Sequence, residues 1–396
     1  MSDWKTKTLG EVTSYIAKGI PPKYVEEAND DTICVLNQKC NRNFRISYDD
    51  SRLHNNAAKK VPDVKMLKPG DVLINSTGTG TAGRVAQIWD IEAPTTIDGH
   101  MILMRPTDEI DPLYYGYAVK AFQAAIESYA EGSTGQTEIN KTRLQNETII
   151  TYPVDKDEQS KIARILAAID EKILLNEEVN KNLLEQAQSI FTQEFLMFDR
   201  IPDGWQESSL LGIADYLNGL AMQKYRPKDD EQGLPVLKIK ELRQGSCDFN
   251  SELCSPSIKP EYIVHDGDVI FSWSGSLLVD LWCGGTCGLN QHLFKVTSST
   301  YNKWFYYTWT NHHLQKFAAI AADMATTMGH IKREELSKAE VLIPSQSDYD
   351  RIGGLLAPLY DLVIANRIEN RKLASLRDEL LPQLMSGQLD VSEVSL

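Results

Sequence analysis

Two histidines lie in matched contexts in the two halves of the chain, and they are the first residues to test for catalysis. The sequence reads Ile97-Asp98-Gly99-His100 in the first half and Leu289-Asn290-Gln291-His292 in the second. A histidine general base must reach a nucleophile, and a carboxylate often orients it. Asp98 is replaced by Asn290, and no serine or cysteine in nucleophile surroundings accompanies both copies. An enzyme that works through Asp98/His100 and Asn290/His292 is therefore the disfavoured alternative.

Metal-ligating residues form one suggestive cluster, made of Cys283, Cys287 and His292. The internal repeat argues against zinc there, because His292 corresponds to His100 and no cysteine lies near His100. The six cysteines of so long a chain do not suggest a disulfide framework either. We expect no metal site.

The glycine-rich loop NSTGTGTAGR (75–84) has three glycines spaced as in a dinucleotide-binding pattern. That fingerprint requires a helix directly after the loop, with its amino end facing the pyrophosphate. Residues 84–89 have the pattern of a strand instead, so this interpretation is rejected. The sequence also lacks a GxxxxGK[ST] phosphate loop and the Asn/Asp-Pro-Pro-aromatic motif of amino-methyltransferases. The chain therefore favours binding over catalysis.

Amide, hydroxyl and basic side chains gather in paired loops of the two halves. They follow strand-like runs at 34–39 and 235–240, the strands after the Gly-Asp turns at 70–71 and 267–268, and the segments 132–144 and 325–336. Such side chains read base edges and phosphates, although a solvated loop is the alternative for any one of them. The DNA-contact candidates are Asn37, Lys39, Arg42, Arg45, Asn75, Thr77, Thr79, Arg84, Gln136 and Lys141 in the first half, and Lys238, Lys240, Arg243, Trp273, Ser274, Ser276, His330, Lys332 and Arg333 in the second.

Helices are expected at 112–129 and 302–322, each followed by a loop and a short strand that ends near Pro153 or Pro344. The second helix is rich in aromatic residues, which we interpret as core rather than as a base-stacking platform.

The segments 155–198 and 347–385 each predict one long helix. Apolar residues and Asn recur at alternating steps of four and three, which is the seam of a coiled coil. Adding 190 to each position in the first copy gives the matching position in the second, and only Arg377 in place of Ala187 breaks the seam. An ordinary amphipathic helix on a core is the alternative. The seam residues are Ile162, Leu166, Ile169, Ile173, Asn176, Asn180, Leu183, Ile352, Leu356, Leu359, Val363, Asn366, Asn370 and Leu373.

The four seam asparagines constrain how the helices pair, because a polar side chain in a seam costs stability and is tolerated where it fixes register. In an antiparallel pair they meet and can hydrogen-bond one another. A parallel pair also superposes them, so the repeat decides the orientation. A two-fold axis across an antiparallel pair places the two globular halves at opposite ends. At ~1.5 Å per residue, each helix is a spacer of roughly 60 Å.

Composition limits the possible partners and location. The 396 residues predict two or three domains, and the formal net charge of -14 disfavours a protein that binds DNA by itself. No basic, apolar signal sequence begins the chain, and no apolar run approaches the ~20 residues of a membrane span. We expect a cytoplasmic protein.

These features, in this order and twice over, resemble the specificity subunit of type I restriction-modification systems across essentially the whole chain. The motifs that carry the resemblance are GDVLINSTGTGTAGR, IDGHMIL, GSTGQTEINKTRL, DEQSKIARILAAIDEKI and LRDELLPQLMSGQLDV. The second half departs from the pattern, with a shorter glycine loop and MGHIKREEL in place of GSTGQTEIN. The departure implies that the second half reads a different DNA sequence.

The resemblance implies an α+β fold with two globular α/β target-recognition domains, separated by two long antiparallel coiled-coil helices and related by a pseudo-two-fold repeat. It implies double-stranded DNA with a split, asymmetric site as the ligand. The implied partners are two methyltransferase subunits that use S-adenosylmethionine for adenine-N6 methylation, and a restriction/translocase subunit that uses ATP and Mg. The chain itself is implied to be non-catalytic and to bind no cofactor, and the methyltransferases can supply much of the phosphate neutralisation.

The predicted domain bounds follow from the repeat and the resemblance together. They are target-recognition domain 1 at 1–154, a central spacer helix at 155–201, target-recognition domain 2 at 202–346, and a C-terminal spacer helix with its tail at 347–396. The alternative is a coiled-coil adaptor whose globular halves bind protein, which the acidic balance and the aromatic helix favour.

Overall fold

The chain folds into two compact units in the computed structural model, which describes residues 3–132, 137–323, 331–391 and 394. Unit 1 comprises Met1–Glu171 with Ser375–Leu396, and unit 2 comprises Lys172–Ala374. Both long helices therefore contribute residues to both units. Over the described ranges, no helix has the length and apolar character needed to cross a membrane.

Over the described residues, the globular part of unit 1 consists of short strands and three short helices. Its elements are β1 (Trp4–Thr8), β2 (Thr13–Lys18), β3 (Tyr24–Val25), β4 (Thr32–Leu36), a 3-10 turn (Gln38–Cys40), β5 (Asn41–Arg42), β6 (Arg45–Ile46), β7 (Arg52–Asn55), a 3-10 turn (Asp63–Lys65), β8 (Val72–Asn75), β9 (Val85–Gln87), β10 (Thr95–Ile97), β11 (Met101–Pro106), α1 (Pro112–Ala121), α2 (Gln123–Ser128), β12 (Ala130–Glu131), β13 (Glu138–Ile139), α3 (Lys141–Glu147) and β14 (Ile149–Pro153). The long helix α4 (Lys156–Phe191) follows.

The globular part of unit 2 repeats this order. Its elements are a π turn (Thr192–Leu196), β15 (Gln206–Ser209), α5 (Leu210–Ile213), β16 (Asp215–Asn218), a 3-10 turn (Met222–Lys224), β17 (Leu234–Leu237), α6 (Ile239–Gln244), β18 (Leu253–Cys254), a 3-10 turn (Pro260–Tyr262), β19 (Ile263–Val264), β20 (Val269–Ser272), β21 (Leu278–Leu281), β22 (Cys287–Leu289), β23 (Leu293–Thr297), α7 (Lys303–His312), α8 (Leu314–Asp323), α9 (Arg333–Lys338) and β24 (Glu340–Ile343). The long helix α10 (Gln346–Met385) follows β24.

The two units share one sheet topology. An antiparallel sheet runs β2-β11-β8-β9 in unit 1 and β16-β23-β20-β21 in unit 2. Each unit also has a second sheet that contains one parallel pair of strands. The pair is β10 with β4 in unit 1 and β22 with β17 in unit 2. The terminal strands also pair alike, β1 with β14 and β15 with β24. The predicted α+β fold with an internal repeat is therefore confirmed.

Identical turn chemistry starts the central strand in each unit. The backbone N–H of Lys68 donates to Asp71 Oδ2 at 2.8 Å, and that of His265 donates to Asp268 Oδ2 at 2.8 Å. The intervening Gly70 has φ +88°, a conformation that L side chains rarely adopt. Each carboxylate also forms an ion pair with a basic residue of the neighbouring strand. Asp71 pairs with Arg105 at 2.8 Å, and Asp268 pairs with Lys295 at 2.8 Å.

The apolar faces of the short helices and the central sheet form the core of each unit. Tyr114, Tyr115 and Ile162 are fully buried together in unit 1, and Phe305, Ile352 and Leu356 are fully buried in the larger core of unit 2. The aromatic residues of α7 lie inside that core, so the helix is a packing element as predicted. The buried aromatics are Trp304, Phe305, Tyr306, Tyr307 and Trp309.

The seam asparagines pair across the two long helices in unit 2. Asn176 Nδ2 donates to Asn370 Oδ1 at 2.8 Å, and Asn366 Nδ2 donates to Asn180 Oδ1 at 2.9 Å. Higher numbers on one helix meet lower numbers on the other, so the helices run antiparallel. Every predicted seam residue is buried or half-buried.

The break in the seam is an ion pair within unit 1. Arg377 Nη1 donates to Asp170 Oδ1 at 2.7 Å, and Tyr117 OH donates to Asp170 Oδ2 at 2.8 Å. Burial, followed by the Asp170 charge, raises the pKa of Tyr117. Arg377 therefore binds α4 through an ion pair, whereas Ala187, at the equivalent seam position, packs in the apolar core of unit 2.

Two predicted boundaries are wrong. The first long helix stops its α-helical pattern at Phe191 rather than at 198, and a π turn continues from Thr192 to Leu196. The runs 34–39 and 235–240 leave the strand at Leu36 and Leu237 and turn into short helices.

We predict that Asn366→Leu destabilises the protein by roughly 1–3 kcal/mol, because it leaves the buried Asn180 amide without its partner. The double variant Asn180→Leu/Asn366→Leu should regain most of that loss, since both polar groups are then removed. Urea unfolding followed by circular dichroism measures both changes. Leu355→Ala, at a position 46 % exposed, is the control and should shift stability by less than ~0.5 kcal/mol. A double variant as unstable as the single one contradicts the pairing argument.

Candidate DNA interface

A hydroxyl and a histidine meet at the same end of the central sheet in both units. Thr77 Oγ1 lies 2.8 Å from His100 Nδ1, and Ser274 Oγ lies 3.2 Å from His292 Nδ1. Each hydroxyl follows β8 or β20, and each histidine directly precedes the neighbouring strand, β11 or β23. The two pairs therefore occupy equivalent positions in the repeat.

The residue two positions before each histidine binds the histidine backbone rather than its ring. The backbone N–H of His100 donates to Asp98 Oδ1 at 2.9 Å, and that of His292 donates to Asn290 Oδ1 at 3.2 Å. An amide oxygen performs this task as well as a carboxylate, which explains the exchange of Asp98 for Asn290. Burial raises the pKa of Asp98. The carboxylate is thus committed to a turn, unlike the ring-orienting carboxylate of a catalytic triad.

A pair of glycines that the sequence analysis missed lets the chain pass close to this junction. A Cβ on Gly19 would lie 2.1 Å from the carbonyl oxygen of Asp98, and a Cβ on Gly219 would lie 2.2 Å from that of Asn290. The next residues, Ile20 and Leu220, form parallel bridges to the same positions. The offset of these glycines in the repeat was the signal available in the sequence.

Four segments of unit 1 meet around Thr77. Its hydroxyl lies 3.4 Å from Gln38 Oε1, and its backbone bridges to Glu138. Glu138 forms an ion pair with Lys18. Lys141 is exposed and donates from Nζ to Ile16 O at 3.0 Å. Gln38 and Lys18 are therefore interface candidates that the sequence analysis missed.

The glycine-rich loop itself presents Thr79 and Arg84. Thr79 is exposed, and Arg84 is half-exposed with Nη2 donating to Gly80 O at 3.1 Å, which orients the guanidinium along the loop. β9 follows the loop as a strand, as predicted, rather than as the helix that a dinucleotide-binding loop requires. Lys39 is exposed on the adjacent 3-10 turn.

Asn37 and Asn75 use their side chains to hydrogen-bond the backbone of the loops in this region. Asn37 Oδ1 accepts from the backbone N–H of Lys39 at 2.9 Å, and its Nδ2 donates to Asp50 O at 2.6 Å. Asn75 is fully buried and donates to Gln38 O at 3.0 Å. Asn75 thus supports the loops, since a fully buried side chain does not reach a DNA groove without movement.

Arg42 and Arg45 lie on the β5–β6 hairpin. Arg42 is exposed, whereas Arg45 Nη2 donates to the backbone carbonyl of Asp170 on α4 at 3.1 Å. Phe44, at the tip, packs on Tyr117 with ring centroids 5.0 Å apart. The hairpin therefore docks the globular part of unit 1 on the long helix, and Arg45 is engaged with α4.

The equivalent loop of unit 2 carries Trp273, Ser274 and Ser276. Trp273 is half-buried and donates from Nε1 to Asn218 Oδ1 at 3.1 Å. Ser274 is buried beside His292, and the carbonyl oxygen of Ser276 accepts from Ser272 Oγ at 2.9 Å. The shorter loop is thus more tightly packed than its counterpart in unit 1.

The basic candidates on α6 have carboxylate neighbours. Lys238 Nζ lies 2.5 Å from Glu252 Oε1, and the same contact lowers the pKa of Glu252. Lys240 Nζ lies 3.3 Å from Asp248 Oδ2. Arg243 is exposed in the last turn of α6.

The remaining candidates lie near the start of α9. Lys332 is exposed at its amino end, and Arg333 is exposed with Nη1 3.4 Å from Tyr216 O.

The predicted contacts at Gln136 and His330 fall outside the described residues. Among the residues that are described, no group of His, Cys, Asp and Glu could hold a metal ion.

The α+β unit is duplicated, and each copy has a polar loop cluster at the same end of its sheet. Both copies share two antiparallel helices. This arrangement is that of a protein with two recognition domains. The family model of the type I restriction modification DNA specificity domain matches residues 1–186 and 202–376. The chain therefore belongs to the family of type I restriction-modification specificity subunits, whose members are non-catalytic DNA-recognition proteins.

Individual relatives match over nearly their whole length. The type I restriction enzyme MjaIX specificity subunit of Methanocaldococcus jannaschii is 23% identical, over 99% of this chain and 95% of that protein. The HindI specificity subunit of Haemophilus influenzae is 19% identical, over 98% and 100%. The crystal structure of the S subunit from M. genitalium has the same fold, with a TM-score of 0.56 at 14% identity over 97% of this chain and 96% of that one.

We predict that Asn75→Ala lowers the stability of the protein by roughly 1–3 kcal/mol, because it removes the donor to the Gln38 carbonyl and one of the acceptors of Asn41 Nδ2 in a buried site. Lys39→Ala, at an exposed position of the same cluster, should change stability by less than ~0.5 kcal/mol. Thermal unfolding of the two variants compares them directly. Equal stability of both would place Asn75 among the surface candidates instead.

Proposed function

We propose that each globular unit reads one half of a split, asymmetric site on double-stranded DNA. The observation that supports this most is the repeated hydroxyl–histidine pair with unlike surroundings. In unit 1 the pair lies beside Gln38, and its loop also carries Thr79 and Arg84, whereas in unit 2 it lies beside Trp273, which is bonded to Asn218. A shared scaffold with different donors and acceptors suits two different base sequences.

The direct-readout candidates are the exposed or half-exposed side chains of each loop cluster. In unit 1 they are Gln38, Lys39, Thr79 and Arg84, and in unit 2 they are Arg243, Trp273, Lys332 and Arg333. An arginine that meets a guanine bidentately discriminates by roughly 1–3 kcal/mol against the wrong base. The long helices act as the spacer between half-sites, preferably about one helical turn of DNA apart, ~34–36 Å.

The chain supplies recognition, and its partners supply chemistry. We infer that it recruits two methyltransferase subunits for adenine-N6 methylation with S-adenosylmethionine, and a restriction/translocase subunit that uses ATP and Mg. The chain binds neither cofactor. Family membership supports these partners, and the acidic net charge of -14 suits a subunit whose partners neutralise part of the DNA.

We predict that Arg84→Ala relaxes base preference in one half-site and leaves the other unchanged, and that Arg243→Ala does the reverse. The variants are expressed with the methyltransferase in cells that lack other adenine methylation, and N6-methyladenine is mapped by sequencing. A wild-type split motif establishes recognition and shows both half-sites. Uniform loss of methylation at every site in a variant would demote that arginine to a phosphate contact.

DNA bound by the chain with its methyltransferase should show a steeper fall of affinity with salt than the chain alone, by about 0.9 in the log–log slope for each phosphate that the partner neutralises. Fluorescence anisotropy over a series of salt concentrations measures the slopes. Equal slopes contradict the division of charge, and failure to retain DNA even with methyltransferase present favours the protein-binding adaptor.

A further inference from the structure

The hairpin that carries the candidate DNA loop of unit 2 is bound to α10 at its other end. Arg371 Nη1 donates to Asp266 Oδ1 at 2.8 Å, and Nη2 donates to Asp266 Oδ2 at 2.7 Å. Asp266 Oδ1 also accepts from the backbone N–H of Gly285 at 2.8 Å. The guanidinium thus forms a two-point contact with a carboxylate that is itself fixed to the domain, a geometry that lysine cannot copy.

A second arginine contacts the same hairpin one helical turn away. Arg367 Nη1 donates to Asp280 Oδ1 at 2.7 Å and to Leu281 O at 3.1 Å. Arg367 and Arg371 are four residues apart on α10 and therefore share one face. The four side chains of these two pairs are 24 to 34 % exposed, so neither pair is fully open to solvent.

The contacted residues frame a single hairpin. Asp266 lies just before β20, and Asp280 lies in β21. The loop between these strands holds Trp273, Ser274 and Ser276. One end of the β20–β21 hairpin therefore presents the loop beside His292, and the opposite end is anchored to the helix.

We propose that Arg367 and Arg371 are positioning residues that hold the β20–β21 hairpin at one place along α10, and thereby restrict the number of base pairs that can separate the two half-sites. The proposal rests on the two-half-site function above. Helix length sets a nominal separation only if each reading loop is fixed to the helix. Arg371 makes a bidentate contact, and Arg367 contacts a carboxylate and a backbone carbonyl one turn away. Together these contacts oppose sliding of the hairpin along α10 and rotation of the hairpin about either contact alone.

Unit 1 uses the opposite chemistry for the same task. There the long helix contributes the carboxylate of Asp170, and Tyr117 and Arg45 of the globular part donate to its side chain and its backbone. The effect of Arg367 and Arg371 should therefore be confined to the position of the second half-site.

The test uses the complete chain with its methyltransferase and a set of duplexes that contain the native half-sites separated by gaps one or two base pairs shorter or longer than the native gap. In Arg367→Gln/Arg371→Gln, the ratio of methylation at altered gaps to that at the native gap should rise by roughly tenfold, the factor that corresponds to about 1.4 kcal/mol. The preferred bases in both half-sites should not change. Arg371→Lys should rise less, because it keeps the charge without the fork.

Arg351→Gln is the matched control. Arg351 lies on the same helix but pairs with Glu194 at 2.7 Å, outside the hairpin, so its gap preference should stay that of the wild type. If the double variant fails to fold, Arg371→Lys decides alone. An unchanged gap preference, with or without a uniform loss of rate, overturns the proposal. If the wild-type complex methylates no split site at any gap, the proposed function fails instead.

Discussion

The register of the two long helices is the constraint on which unit 2 depends. Asn176 with Asn370 and Asn180 with Asn366 form amide pairs that only one antiparallel register satisfies. The core of unit 2 takes Ala187 and Phe191 from α4 and Ile352 and Leu356 from α10. A slip by one turn would both separate the amides in a buried seam and pull one helix's apolar residues out of that core. Polar pairing and apolar packing therefore select the same register.

The globular parts are attached to these helices by charge as well as by packing, and the sign of the charge differs between the units. In unit 1 the helix residue Asp170 accepts from Tyr117 and Arg45 of the globular part. In unit 2 the helix residues Arg367 and Arg371 donate to the sheet. The repeat thus preserves the topology while the docking contacts have diverged. Such contacts are directional, so they specify where a loop lies, which apolar packing alone does less well.

Local patterns predicted the strands, turns and long helices because those depend on neighbouring residues. The Gly-Asp turns before β8 and β20 and the seam asparagines are of this kind. The start of α6 was missed, although its capping contact is local: Glu241 Oε2 accepts from the backbone N–H of Lys238 at 3.3 Å. The candidate site was predicted less well. Nothing near Asn75 or Arg45 in the sequence reveals that one is buried and the other reaches α4, since those contacts join residues 37 and 125 positions apart.

The distribution of charge in the loop clusters bears on how an acidic chain can recognise DNA. Several cations near the loops contact a carboxylate, namely Lys18 with Glu138, Lys238 with Glu252 and Lys240 with Asp248. A phosphate that binds one of these lysines must compete with that carboxylate. The exchange would reduce the gain from phosphate contacts on any sequence. Base contacts by uncharged candidates such as Gln38 and Thr79 would lose nothing by it. Weak general attraction combined with undiminished base readout increases the ratio of specific to non-specific binding, which is the quantity a recognition subunit must maximise.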